Sequence, residues 1–261
     1  MALIAGLAMA QVQSANTVGY QEITLYPGMN MVSINFAKVG DNTGMTLDEI
    51  FPGTTQGLTA YRNDGAADYV MVWDSSTQTY PNKYFLYVSR QANDPEKDYT
   101  WRVTASAAAT QKFKSGTAFW FFKRGDASVT LKVSGEVEYS TTTAPTITIN
   151  PGYNMINAPF ADVLDLNRLG TAYWKTSGAV AYRNDGAADY VMVWDGSTQT
   201  YPSKYFLYVS RQENDAEKDY TWRATASSPA PAEIAPMGKG VWYYHRGDTS
   251  FTLTLPFPYS L

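Results

Sequence analysis

The chain has 261 residues, a net charge of -4, 44% hydrophobic and 15% aromatic residues, and 20 Tyr and 7 Trp. That apolar content is enough to bury a core and sets disorder aside, while a weakly acidic chain with no basic run lacks the electrostatic footprint that nucleic acid or an anionic membrane requires. With no cysteine and one histidine, His245, disulfide scaffolds, thiolate chemistry and multi-His metal sites are excluded.

The first element is an address. Residues 2–10 form an apolar run of signal-peptide length, and Ala8-Met9-Ala10 fits the small-x-small cleavage rule. Residues 1–15 are therefore expected to be a signal peptide, cut after Ala10 or Ala15. No Lys or Arg precedes the run, so a start upstream of Met1 is expected. The run is too short to cross a bilayer, and no later segment reaches transmembrane length. The expected location is secreted, extracellular or on the outer cell surface.

Strands dominate the rest of the chain. Thr24–Tyr26, a Pro27-Gly28 turn and Met29–Phe36 read as strand, turn, strand, with side chains alternating at period two. Thr46 with Glu49 three residues on, stopped by Pro52, reads as one capped helical turn. Asp68–Trp73, Lys83–Val88 and Tyr99–Thr104 are strands. Thr117–Phe122 and Ser128–Val133 flank Lys123-Arg-Gly-Asp126 and read as a hairpin. In the second half, Asp165–Leu169 before Gly170 takes the place of the helical turn.

The chain repeats itself. Residues 60–106 return at 181–227 with few changes, among them Ser75 to Gly196, Asn82 to Ser203 and Pro95 to Ala216. The flanks repeat more loosely: 23–37 answers 147–161, and 116–133 answers 238–255. A period this long makes domains, not a solenoid. The expected fold is all-β: two tandem β-sandwich domains, Ig-like or jelly-roll-like, from an internal duplication. Repeat 1 spans 16–138, a linker 139–145 and repeat 2 146–261. The retained central turns suggest either a hairpin region that meets a partner twice, or a duplication copied only in the middle.

The opening Ser14–Tyr20, the Pro-Gly-x-Asn-Met turn and the aromatic segment ending in Val133–Val137 resemble a loose group of secreted, uncharacterised β-proteins from environmental Gram-negative bacteria. That resemblance implies export and a β-sandwich, and carries no activity.

No catalytic constellation is visible. His245 is expected on an exposed turn, where repeat 1 has Lys123. The carboxylates Asp64, Asp68, Asp74, Glu96 and Asp98, and their counterparts Asp185, Asp189, Asp195, Glu217 and Asp219, sit in turn-like sequence. Asn63, Asp64 and Asp68, with Asn184, Asp185 and Asp189, offer oxygen ligands around a Gly turn that Ca²⁺ could use; the alternative is an Asx turn. No cofactor is otherwise expected. Arg124-Gly-Asp126 and Arg246-Gly-Asp248 read as turn chemistry. Aromatics are the stronger lead. Trp73, Tyr84 and Trp101, repeated as Trp194, Tyr205 and Trp222, are candidate sugar-stacking residues, set against the alternative that they fill the cores. The expected role is a non-enzymatic secreted structural or surface protein that assembles with itself. The alternative is a carbohydrate-binding or adhesive module with two equivalent sites. Partners are therefore itself or an extracellular glycan, with no nucleic acid.

Overall fold

The computed structural model describes residues 17–41, 43–140 and 142–260; the apolar stretch read as a signal peptide lies outside the described residues. The chain is all-β, 41% strand and 6% helical, with several sheets and no barrel. No described helix is long and apolar enough to cross a membrane.

The first half contributes β1 (Val18–Leu25), β2 (Gly28–Ser33), β3 (Met45–Thr46), α1 (Leu47–Ile50), β4 (Tyr69–Asp74), β5 (Thr79–Tyr87), β6 (Thr100–Thr104), β7 (Ala107–Ala108), β8 (Lys112–Phe113), β9 (Ala118–Lys123) and β10 (Val129–Glu136). The second half contributes β11 (Thr146–Ile149), β12 (Gly152–Ile156), a 3-10 turn (Asn167–Leu169), α2 (Gly170–Thr176), β13 (Tyr190–Asp195), β14 (Thr200–Tyr208), β15 (Thr221–Arg223), β16 (Val241–His245) and β17 (Phe251–Thr254). Each half builds one large antiparallel sheet, in the orders β2-β9-β4-β5-β6-β7 and β12-β16-β13-β14-β15, and a two-stranded layer, β1-β10 or β11-β17.

Alternation places the cores. On β1, Gln21, Ile23 and Leu25 turn inward between exposed neighbours; on β10, Leu131 and Val133 do the same. With Val32, Val70, Leu86, Phe119 and Phe121 from the large sheet they enclose one hydrophobic core, and Ile149, Val191, Leu207, Tyr243 and Leu253 belong to a second, separate core. The helical turn at Thr46 forms as its sequence requires: Thr46 accepts from the Glu49 amide while Glu49 reaches back to the Thr46 amide, and Leu47 and Ile50 are buried.

Two local expectations are corrected. The segments flanking Lys123–Asp126 do not form a hairpin. β9 pairs with β2 and β4, whereas β10 pairs with β1. The turn is a corner where the chain changes sheets, as is Pro27-Gly28. Nor does Gly170 stop the helix: at φ 76° it ends the 3-10 turn and opens α2, which buries Trp174 against Trp222 at 5.3 Å. The apolar demand of Tyr173 and Trp174 outweighs the local signal of the glycine.

The two halves meet through reciprocal contacts, as a pseudo-twofold axis demands. Trp73 Nε1 donates to the Tyr153 carbonyl at 2.8 Å, and Trp194 Nε1 donates to the Met29 carbonyl at 2.8 Å. Gln78 accepts from the Tyr153 amide at 2.8 Å and donates to its carbonyl at 2.9 Å; Gln199 does the same to Met29 at 2.8 and 2.9 Å. Both glutamines hold a left-handed φ of 55°, costly for a residue with a Cβ. Opposite them, Gly28 (φ 90°) and Gly152 (φ 86°) leave room that a Cβ would close, at 2.5 and 2.6 Å from the glutamine oxygens. On the axis, Trp120 and Trp242 are buried 6.5 Å apart, flanked by Met31 and edge-on contacts from Trp194 and Trp73 at 5.3 Å. The outer edge of β2 is covered by repeat 2: Ser33 donates to the Gly238 carbonyl and Gly240 to the Met31 carbonyl.

Candidate functional site

The structure distributes the six candidate sugar-stacking residues among roles that leave them little free surface. Trp101 and Trp222 are fully buried, Tyr84 is buried in the first core, and Tyr205 packs on the second. Trp101 Nε1 is spent on the Phe51 carbonyl at 2.8 Å. Trp73 and Trp194 lie on the inter-repeat contact, in a chain of rings running Tyr80, Trp73, Trp242, Trp120, Trp194, Tyr201, with neighbouring centroids 4.8 to 6.5 Å apart. Trp101, Trp222 and Tyr84 are therefore buried away from a sugar, while Trp73 and Trp194 are half-buried against the other repeat. Period two told which residues share a face, but not that one outward face would be covered by the other repeat.

The six oxygen ligands are likewise committed. Asn63 and Asn184 accept from the amides two residues on, Gly65 and Gly186, at 3.1 Å, which is the Asx turn. Asp64 pairs with Lys83, and Asp185 with Lys204, each at 2.7 Å. Asp68 is buried and accepts from the amides of Thr59 and Arg124, tying the β9–β10 corner to β4. Burial pushes the Asp68 carboxyl above its usual range against the pull of those amides. Asp189 is buried and accepts from Tyr243 Oη, His245 Nδ1 and the Arg246 amide. Among the described residues no three His, Cys, Asp or Glu side chains gather as a metal site would.

His245 is not on an exposed turn. It ends β16 and is buried, with Nδ1 2.8 Å from Asp189 Oδ2 and Nε2 3.0 Å from the Thr249 carbonyl. Burial opposes its charge, but Asp189 and the Thr249 carbonyl outweigh it and raise the imidazole above its ordinary value. Both ring nitrogens face acceptors, and the pair fastens a corner, as Asp68 does beside buried Lys123 in repeat 1.

Two tyrosine pairs stay open in both repeats: Tyr80 and Tyr201, at the ends of the chain of rings, and Tyr61 and Tyr182, which belong to a tyrosine–arginine patch. Tyr61 and Tyr182 are each 37% exposed, and the following arginine donates to each phenol: Arg62 at 3.1 Å and Arg183 at 2.9 Å. Those bonds, the charge beside them and the further charge of Arg90 or Arg211 hold both phenols below the usual tyrosine range. Arg90 rides on a loop with built-in supports. Asp98 takes the amide and hydroxyl of Ser89 and the amide of Asp94, and Lys97 pairs with Asp94 at 2.6 Å; Asp219, Ser210, Asp215 and Lys218 repeat the arrangement. Tyr61 lies alongside Tyr87 on β5, whose ring is near Arg102; Tyr182, Tyr208 and Arg223 correspond.

The arginines of the repeats share one habit. Eight of the nine form four equivalent pairs, and none of the eight makes an ion pair with a described carboxylate; Arg168, outside the repeated block, is the one that does. Six of the eight face aromatic rings instead, at 4.6 to 5.9 Å. The lysines behave oppositely, with eight of eleven ion-paired. Sequence reasoning passed over this patch because its tyrosines are neither the largest rings nor part of a motif. The available signal was that Tyr61-Arg62 and Val88-Ser-Arg90 recur unchanged.

No family model, curated protein or solved structure matches this chain.

Proposed function

We propose that the chain is a non-catalytic, exported binding module that engages an extracellular glycan through two equivalent patches, Tyr61-Arg62-Arg90 and Tyr182-Arg183-Arg211. Two β-sandwich domains in tandem, joined by residues 139–145, would present them. The observation that carries this reading is that the tyrosine and both arginines of the patch recur, unpaired with acid and held by the same loop supports, in both repeats. Exposed tyrosine supplies a flat apolar ring with a polar tip, the chemistry a pyranose face needs. Two weak sites on one chain gain by avidity. The test is a glycan array read with the wild type and with Tyr61→Ala/Tyr182→Ala; signal unchanged by the double substitution removes the patch from the function.

Self-assembly is the second reading, and its support is narrower. The face expected to recruit a partner is occupied by the other half of the same chain. What favours assembly is β1, a strand paired among the described residues only with β10 and carrying Val18 and Tyr20 at 58% and 62% exposure. Light scattering over a wide concentration range separates the readings, since a persistent monomer eliminates assembly through β1.

A further inference from the structure

We infer that the ligand of the two patches is an anionic polysaccharide, its carboxylate or sulfate groups gripped by the guanidinium edges of Arg62 and Arg90 in one repeat and Arg183 and Arg211 in the other. This rests on the two-site glycan reading and specifies its chemistry.

The first ground is charge accounting. All four arginines are exposed, and none has a carboxylate partner among the described residues. Several acids close in sequence are engaged elsewhere: Asp64 with Lys83, Asp94 with Lys97, and Asp98 with the amides and hydroxyl that shape its loop. The second half repeats each of these commitments, and its Glu213 pairs with Lys175. Glu96 and Glu217 share the loops but form no ion pair with the arginines, so a chain with net charge -4 keeps two exposed arginine pairs without a salt-bridge partner among the described residues. Unpaired arginine on an acidic protein is where an external anion gains most, because guanidinium matches carboxylate and sulfate oxygens with parallel N–H donors.

The second ground is orientation. Arg62 and Arg183 sit over the rings of their own tyrosines, 5.2 and 5.1 Å from the centroids. Each also spends one N–H on the hydroxyl of that tyrosine, which fixes the guanidinium and leaves its other donors for a ligand. The third ground lies one strand over. Arg102 and Arg223 are each 5% exposed, and the Nε of each has no hydrogen-bond partner. Where α1 gives Arg102 a neighbouring carboxylate in Asp48, the second repeat has Asn167 at the matching contact with the Trp222 amide. In the second repeat, where Asn167 stands in place of that carboxylate, the buried Arg223 guanidinium adds positive potential behind the patch, whereas Asp48 offsets Arg102 in the first.

A protein ligand or nucleic acid fits less well. The arginines are clustered in two separate spots of two, without the continuous basic track that a phosphate backbone demands. A polysaccharide with a charge on successive sugars offers each spot many equivalent anions, so two spots on one chain gain by avidity.

The experiment is native affinity electrophoresis of the full chain through gels carrying dextran sulfate, polygalacturonate, uncharged dextran or poly(dT). Retardation by dextran sulfate or by polygalacturonate, and not by dextran, is expected; which of the two retards more tells sulfate from carboxylate. Arg62→Gln/Arg90→Gln should weaken retardation at least tenfold through lost avidity, and adding Arg183→Gln/Arg211→Gln should abolish it. Lys132→Gln, an exposed lysine of β10, should change nothing, and far-UV circular dichroism confirms that each variant is folded. Equal retardation by dextran, or retardation indifferent to the arginine substitutions, overturns the anionic inference and leaves two-site glycan binding standing. Retardation by poly(dT) as strong as by the polysaccharides also overturns it, in favour of a general polyanion site. No retardation by any polysaccharide removes both.

Discussion

Substituting Gln78→Ala and Gln199→Ala tests whether the two repeats are one cooperative unit. Each glutamine makes two hydrogen bonds across the axis and a third to its own hairpin, Gln78 to the Ser75 carbonyl and Gln199 to that of Gly196. Alanine keeps the Cβ and so keeps the left-handed strain at φ 55°, which isolates the carboxamide. The Tyr153 and Met29 carbonyls retain their tryptophan donors, so the principal loss at each site is an amide left to find water. At about 1 kcal/mol net per cross-repeat bond, each substitution should cost about 1–3 kcal/mol. The clamps grip different strands, so the double variant should lose about 2–5 kcal/mol with coupling below about 0.5 kcal/mol. Urea unfolding followed by tryptophan fluorescence reads this directly, because Trp73, Trp120, Trp194 and Trp242 all lie at the junction. Loss of the clamps should also split the transition as the two cores unfold independently. A double variant within about 0.5 kcal/mol of wild type, with a single transition, would refute the reasoning.

One departure of the junction from symmetry is the exchange of Ser75 and Asn150 for Gly196 and Tyr26. Ser75 accepts from Asn150 at 2.9 Å, whereas a Cβ on Gly196 would meet Asn30 Oδ1 at 2.6 Å and the Tyr26 ring at 3.2 Å. Gly196→Ser should therefore cost about 1–3 kcal/mol by overpacking, and Tyr26→Asn in the same chain should recover part of it in a denaturation cycle. Trp120→Ala removes a ring buried on the axis and should cost about 3–5 kcal/mol by calorimetry or urea unfolding. His245 is more basic folded than unfolded, so its contribution is full below its ordinary value near 6.5 and is lost as pH rises through the raised folded value. The urea midpoint should fall with rising pH across that range, and His245→Gln should flatten the slope. Millimolar Ca²⁺ should leave the melting temperature unchanged, since Asp68 and Asp189 are already hydrogen-bonded inside the fold.

Local structure was legible where a side chain answers to its own neighbours. Thr46 and Glu49 announced a capping box, Asn63 and Asn184 an Asx turn, and Thr24–Phe36 two strands about a Pro-Gly turn, although burial does not alternate over Met29–Phe36, where Met31 to Phe36 are all buried. Pairing was not legible, because alternation fixes which residues share a face and says nothing about which strand lies alongside. That is why the segments around Lys123–Asp126 read as a hairpin when Asp68, some 55 residues earlier in the chain, anchors the corner between two sheets. Burial of polar groups was equally hidden. His245 reads as a turn residue until Asp189 and the Thr249 carbonyl are seen on its two nitrogens.

The uneven match between the repeats follows from what each segment touches. The loosely repeated flanks build contacts that have no symmetric equivalent. Asn35 donates to the carbonyls of Ala158 and Phe160 and accepts from the Gly238 amide, yet its counterpart is Pro159, which can donate nothing; the counterpart of Ser33 is Asn157, which donates to it. Positions on opposite sides of such a network are free to differ, because they never perform the same task. The hairpin β4–β5 and its copy β13–β14 are not free. Trp73 and Gln78 must fit the turn before Tyr153, and Trp194 and Gln199 the turn before Met29. Reciprocity explains the hairpin tips but stops there. Tyr61-Arg62 and the supports Ser89 and Asp98 lie outside the junction contacts and are nonetheless repeated at Tyr182-Arg183, Ser210 and Asp219, while the loop between the supports changes at Ala92 to Glu213 and Pro95 to Ala216. Packing against the other half does not account for that second set; a duplication copied in the middle and a demand on the exposed surface both do, and substitution of the patch residues in a binding assay tells them apart.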